Sequence, residues 1–401
     1  MPGSSTGSGS GSSSGTVAGG SSGTTSGSSG TSSGAGSGSG SGSSSSGTST
    51  GSSSGSSDAG SGTVILGGGG AACTGNESVA GGFPDGFWDT TNLPTATGAV
   101  MFKFLNRTNG KYSDSELYWS FQNTKLNVNE THSLADQPTY DMPAPPAGGG
   151  YNGRMYFYIC PTGSPASCPG SNGKTDYYDF IEFAIGNNTT PPPYWINYDT
   201  TRVDAFAIKL ALDLHVTSGS TSDYYTGENC DTFAEDRDAT FASYVASVPA
   251  EFKPCGQAPN APYRIKEPGG GCGFNAGGAN ADYFTSYEME MWTNNGINIP
   301  MPGPNGSGLG AYPDLSAAIM RHVGAAAGTF TSAGKLVNGN FWSTMPESTF
   351  YTAAPADYYA QWIHSRAIHG KQYAFPYDDV GGNSSDVGAS GMQYMLVAIG
   401  W

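Results

Sequence analysis

Two carboxylates stand where carboxylates are costly. Glu182 lies inside the apolar run YYDFIEFAIG (177–186), and Asp204 lies inside TRVDAFAIKLALDLHV (201–216). Both runs are rich in aromatic and β-branched residues and read as strands. A charged group in such a run must face a cleft or find a partner, because burying a lone charge is expensive. The runs are consecutive, so the link NNTTPPPYWINYDT (187–200) makes them expected antiparallel neighbours. Their carboxylates would then face one groove with room for a water between them. In that arrangement one carboxylic acid protonates a leaving sugar oxygen while the other activates water on the opposite face, at a separation of roughly 6.5–9.5 Å. Phe180, Ile181 and Phe183 give Glu182 the apolar neighbours that suit a proton donor, whereas Asn197 and Thr201 offer Asp204 polar ones. Trp195, with Tyr194 and Tyr198, supplies rings that stack on sugars. The alternative is that each acid pairs with an arginine or caps a turn.

Other constellations carry less. Glu288 and Glu290 in YEMEMW (287–292) would share one face of a strand, but a solvated helix or strand face explains them equally. Five histidines are scattered, no HExxH pattern occurs, and GxSxG occurs only within the Ser/Gly-rich residues 1–62, so neither a catalytic metal nor a serine nucleophile is supported. GGGCGFNAGG (269–278) is not followed by a helical period, which argues against a nucleotide site.

The elements that must position the acids change character along the chain. AVMFKFLN (99–106), SELYWSFQN (115–123) and GRMYFYIC (153–160) read as strands, as do the two acid-bearing runs. Between residues 230 and 365 the apolar spacing becomes helical, in FAEDRDATFASYVASV (233–248), YFTSYEMEMWTNNG (283–296) and DLSAAIMRHVGAAAG (314–328). The stretch after Pro355 is helical too, and YMLVAIGW (394–401) returns to strand. The organisation expected is a β barrel or sandwich from 99–229 and 366–401, a mixed α/β domain from 230–365, and a lead-in at 63–98 that begins the packing with Phe83, Phe87 and Trp88. No internal repeat is found.

Composition sets the class. The 401 residues carry 16 basic and 32 acidic side chains, and only 12% of the chain is charged, against roughly 25% for ordinary domains. The acidic balance, without a basic cluster, argues against nucleic acid and against an anionic membrane surface. No apolar run is long enough to span a bilayer. Residues 1–62, almost all Ser, Gly, Thr and Ala, are expected to be a disordered, flexible tether. Neither a basic n-region nor an apolar h-region follows Met1, so the start is expected to be a processed or trimmed end, once downstream of a secretion signal or lipid anchor. Six cysteines in a lysine-poor chain nevertheless point to disulfides and an extracellular or surface-tethered setting. Cys160–Cys168 is the expected local bridge; Cys255 with Cys272, or either with Cys230, are further possibilities.

These segments also resemble a known family. ADYYAQWIHSRAIHG (356–370) running into GKQYAFPYDDVGGNSSD (370–386), and then into the final AIGW, is similar to the C-terminal signature of glycoside hydrolase family 64, the laminaripentaose-producing β-1,3-glucanases. SDSELYWSFQ, GRMYFYICP, DFIEFAI, TRVDAFAIKL and RIKEPGGGCGFNAGGANADYFTSYEMEMW are similar to further segments of that family, so the resemblance runs from about residue 99 to 401. Ala184 departs from it, standing where the family often has Thr, and the 187–200 link is long.

The resemblance implies a thaumatin-like β barrel or sandwich joined to a mixed α/β domain, with a wide cleft between them. It implies Glu182 as general acid and Asp204 as general base in an inverting, endo-type hydrolysis of curdlan- or laminarin-like β-1,3-glucan, with no cofactor or metal. Trp195, Asn197, Thr201, Tyr377, Asp378 and Asp379 are the expected sugar-binding residues, although Asp378 and Asp379 would equally close a Tyr/Pro turn. A monomer is expected. The rival is a thaumatin-like protein that holds β-1,3-glucan without cutting it.

Overall fold

The computed structural model describes residue 66 and residues 71–161, 177–217, 221–296, 312–323 and 345–401. The Ser/Gly stretch 1–62 and Cys168 lie outside the described residues.

The strands, in chain order, begin with β1 (Val100–Arg107), β2 (Leu117–Asn123), β3 (Val128–Ser133), β4 (Thr139–Met142) and β5 (Gly150–Ile159). Next come β6 (Tyr177–Asn187), β7 (Tyr194–Thr200), β8 (Ala205–Phe206), β9 (Lys209–Val216) and β10 (Ser222–Gly227). The short β11 (Ile265–Lys266) precedes β12 (Val387–Ser390) and β13 (Met392–Gly400). They build a five-stranded sheet in the order β10-β9-β13-β1-β4, a six-stranded sheet in the order β12-β7-β6-β5-β2-β3, and a β11-β8 pair. β1 and β13 run parallel, whereas the neighbours within the six-stranded sheet are antiparallel.

Alternation decides which face each strand buries. Ile181, Phe183 and Ile185 of β6 point inward with Met155 and Phe157 of β5 and Trp119 and Phe121 of β2. They meet Phe102, Phe104, Leu210, Leu212, Val397 and Ile399 from the five-stranded sheet in one core. The two sheets therefore form a sandwich, and no closed barrel is formed by the described strands. The outer face of the six-stranded sheet receives the alternate residues, among them Arg154 and Glu182.

Two expectations about strands fail, and both bear on the site. Residues 187–200 are not a simple connection. They contain β7, which takes the place beside β6 that residues 201–216 were expected to fill. The 201–216 run is itself broken: Thr201 makes a bridge to Tyr373, β8 pairs with β11, and only β9 enters the main sheet. The break lies at Arg202, which is fully buried and cannot simply continue a ladder.

The helical stretches are α1 (Cys230–Ala234), α2 (Arg237–Ser247), α3 (Thr285–Asn295), α4 (Pro313–Met320) and α5 (Tyr358–His364). The helix expected over 233–248 is two, because Asp236 accepts from the Ala239 amide at 2.7 Å and starts α2 afresh. YEMEMW lies in α3, so Glu288 is buried while Glu290 is exposed, and the two do not share a strand face. Tyr244 of α2, Tyr287 and Met291 of α3, Ile319 of α4 and Trp362 of α5 pack into a second core that also takes Phe206 and Phe375. Phe83 and Phe87 from the lead-in join Phe233 and Ile368 in a third.

Cys73–Cys230 ties the lead-in to α1, a pairing not expected from the sequence, and Cys255–Cys272 is the second bridge described. Cys160 is disulfide-bonded too. Among the described residues, no helix is long and apolar enough to cross a membrane.

Candidate active site

Register across the six-stranded sheet brings three ionisable residues into one row. Arg154 of β5 is opposite Glu182 of β6, and Glu182 is opposite Asp199 of β7. Such directly paired side chains have Cβ atoms about 4.5–5.5 Å apart. The Arg154 guanidinium donates from Nε to Glu182 Oε1 at 2.6 Å and lies over the Phe180 ring at 4.6 Å. Burial works against the Arg154 charge, and the Glu182 carboxylate outweighs it, so the guanidinium is held above its ordinary pKa. The Glu182 side chain remains 34% exposed.

Asp199 has the opposite situation. Burial pushes its carboxyl well above the usual range, and the charges of Glu182, Asp386 and Asp379 push it further, against the pull of Arg154. Its Oδ1 is buried without a hydrogen-bond partner among the described residues. A protonated Asp199 can donate, which a second carboxylate beside Glu182 could not. Asp386 is also raised, by burial, against a hydrogen bond from Asn197.

Asp204 reaches the same region by a different route. Arg202 anchors the chain just before it, paired with Asp179 at 2.5 Å and Glu228 at 2.6 Å. The Arg202 amide donates to the Tyr373 carbonyl at 2.7 Å, and the Tyr359 hydroxyl donates to the Arg202 carbonyl at 2.7 Å. Phe206 is drawn into the helical core. Between these two anchors Asp204 is exposed. Glu182, Asp204, Arg154, Thr201, Tyr373 and Tyr377 line one cleft of about 290 Å³. An adjoining cleft of about 370 Å³ shares Arg154 and Glu182 and adds Asn152, Asn197 and Asp199. The two acids are thus brought to one groove, although not by the neighbouring strands the sequence suggested.

Another carboxyl flanks Asp204. The Glu267 amide donates to the Asp204 carbonyl at 3.3 Å, continuing the β8–β11 pairing. Its own carboxyl accepts from the Gly269 amide at 2.6 Å. Burial, then the charges of Asp357 and Asp204, raise it to about 8 against that hydrogen bond, so it is mostly protonated at neutral pH.

The expected sugar-binding residues divide. Thr201 and Tyr377 line the Glu182–Asp204 cleft and Asn197 its neighbour. Tyr377 holds φ at 73°, a left-handed conformation uncommon for a residue with a side chain. Trp195 lies over Gly186, where a Cβ would come within 2.4 Å of its ring, and lines neither cleft. Asp378 is a correction: it is fully buried, paired with Arg321 at 2.8 Å and His364 at 2.9 Å, and accepts from the Ala374 amide. It closes the turn and cannot reach a sugar. Asp379 next to it is exposed.

Sequence reading missed Arg154, Asp199 and Glu267. Asp199 is separated from Glu182 by 17 positions, and only the β6–β7 register reveals that they are neighbours. The single local signal for Glu267 is the glycine turn after it.

The sandwich and helical core are similar in fold to solved glycoside hydrolases. A family profile described as "Beta-1,3-glucanase", that of glycoside hydrolase family 64, matches residues 305–397. The crystal structure of the family 64 laminaripentaose-producing β-1,3-glucanase from Paenibacillus barengoltzii is similar at 25% identity and a TM-score of 0.56, over 78% of each chain. The same enzyme complexed with laminarihexaose gives 24% and 0.58 over 78% of each chain. A family 64 β-1,3-glucanase domain from Clostridium beijerinckii gives 21% and 0.57 over 77% of this chain and 100% of that one. No curated protein sequence matches. The chain is therefore similar to the family 64 β-1,3-glucanases, as its FPYDDV and FIEFA segments imply.

Proposed function

We propose that this protein is an extracellular or cell-surface β-1,3-glucanase of the thaumatin-like kind that cuts curdlan- or laminarin-type glucan within the chain, as a monomer and without a cofactor. The observation that carries this reading is the opening of Glu182 and Asp204 onto one groove between the six-stranded sheet and the Tyr373–Tyr377 turn. Glu182 gives its proton to the glycosidic oxygen as the bond to the anomeric carbon breaks. Asp204 takes a proton from the water that attacks the opposite face, so the configuration inverts. The neutral glucan meets no charge repulsion in a groove lined by acids. Tyr373 and Tyr377 line the groove and supply aromatic rings of the kind that stack on a sugar's apolar face.

One observation favours a second reading, binding without cleavage. Arg154 occupies Glu182 at 2.6 Å, and a donor must be freed from that pair before it can serve a leaving group. Incubation with laminarin and curdlan separates the two. Cleavage should release short oligosaccharides that appear first as the α-anomer in proton NMR. A β-anomeric product would indicate retention, and full-length glucan recovered in complex with the protein would indicate the binding reading.

A further inference from the structure

A further concavity is distinct from the cleft that holds the two acids. It measures about 840 Å³ and is lined by the β2–β3 turn and the start of β5, with Gln122, Asn123, Asn127, Asn129 and Asn152 around it. We propose that this amide-lined cleft is a remote sugar subsite, joined to the Glu182–Asp204 groove by a continuous track across the outer face of the six-stranded sheet. The proposal rests on the glucanase reading and extends it from a cleavage point to a path for the polymer.

Three observations make the path. Asn152 lines both the amide cleft and the Asp199 cleft, and Arg154 and Glu182 line both the Asp199 cleft and the Asp204 cleft, so the three depressions are contiguous. Register puts the polar residues in crossing rows: Gln122 pairs with Asn129, Arg154 with Glu182 and Glu182 with Asp199, while Asn152 pairs with Ala184 and Ala184 with Asn197. Phe121, Tyr151, Met155 and Phe183 take the inward positions of the same strands, so these partners face outward. From β7 to β3 the face spans four strand spacings, about 19 Å, room for several sugar rings.

The lining selects the ligand. Its polar side chains are amides, Thr124, Lys125 and Tyr151, whose hydroxyl donates to the Pro143 carbonyl, with no carboxylate among them. The Lys125 ammonium is already bonded to the Gly150 carbonyl. An amide both donates and accepts, as does a sugar hydroxyl. The site therefore suits an uncharged polyol. Gln122, Asn129 and Asn152 are exposed, and their side-chain amides have no protein partner among the described residues. Asn123 does other work: it donates to the Asn152 carbonyl at 2.8 Å and accepts from the Leu126 amide at 3.0 Å, which fixes the turn before a ligand arrives.

The test is the double substitution Gln122→Ala and Asn129→Ala, measured against β-1,3-gluco-oligosaccharides from the trimer upward. Losing two hydrogen bonds should raise KM by about tenfold for oligosaccharides long enough to span the track, and leave the shortest cleaved ones unchanged. kcat on short substrate should not move, because neither residue touches the acids. Equal KM for variant and wild type at every length would overturn the track. Calorimetric titration with the same oligosaccharides reads binding apart from cleavage. Length-dependent binding that the variant loses, in a protein that cuts nothing, keeps the track and rejects the hydrolase; equal affinities reject the track whether or not the protein cuts.

Discussion

Glu182 and Asp199 face each other directly across the β6–β7 ladder, with Arg154 opposite Glu182 on its other side. One guanidinium thus serves a pair of acids. Burial, and then the charges of its acidic neighbours, keep the proton on Asp199, so the row does not set two charged carboxylates side by side.

Asp199→Asn should therefore preserve activity at neutral pH to within a few-fold, since it replaces one neutral group with another of the same shape. In the wild type, raising the pH eventually ionises Asp199, and that charge opposes loss of the proton the neighbouring donor must give. The alkaline limb of the kcat/KM profile should therefore move to lower pH in the variant. An unchanged limb would show that Asp199 does not govern it.

On the proposed mechanism Glu182→Gln and Asp204→Asn each remove one acid–base group and should each lower turnover by about 10²–10⁴. Titration of the variants with laminarin oligosaccharides should give affinities near the wild type, because neither carboxylate is needed to hold the ground state. Parallel loss of binding would mean that these acids are ligands for the sugar and not its catalysts.

Arg202 is the anchor that presents Asp204, and Arg202→Met should cost about 3–5 kcal/mol, since it strands Asp179 and Glu228 as buried acids. Chemical denaturation of the variant would measure it. The deficit should shrink on acidification: burial already lifts Asp179 to about 6 with Arg202 present, so protons can replace the missing cation. A deficit constant with pH would contradict the ion-pair account.

Asp213 on β9 is buried on the far sheet, and its Oδ1 has no hydrogen-bond partner among the described residues. Burial, and then the charge of Asp223, lifts it to about 8. An unfolded aspartate titrates near about 3.9, so the folded state binds the extra proton between these values. Its favourable contribution is complete below about pH 4 and is lost as the pH rises to about 8. Asp213→Asn should flatten the fall of melting temperature over that window and leave the protein more stable at pH 8. Identical pH dependence in both proteins would reject this.

Much of this was legible in the sequence because it is local. Apolar, aromatic-rich runs expose β1, β2, β5 and β6, and helical apolar spacing exposes α3, α4 and α5, whereas the fresh start of α2 at Asp236 was not read. What could not be read is pairing. Nothing in WINYDT says that it inserts beside β6, and nothing in TRVDAF says that Arg202 turns inward to two distant acids. Asp378 shows the same limit: its neighbours in sequence suggest a sugar contact, whereas Arg321, 57 positions away, decides otherwise. Glu182 and Asp204 were found because a carboxylate in an apolar run is anomalous by itself, while Asp199 is anomalous only once its neighbours are known.

The parallel pairing of β1 with β13 has a consequence for the newborn chain. β13 occupies the middle of the five-stranded sheet, between the first strand and β9, yet it is the last described strand to leave the ribosome. Until it arrives, β1 and β9 each present an unpaired edge, and Phe102, Phe104, Leu210 and Leu212 lack the neighbours that bury them. The six-stranded sheet, apart from its short edge strand β12, can assemble earlier. The groove-bearing half should therefore form during synthesis, and the step that locks it in place waits for Met392–Gly400.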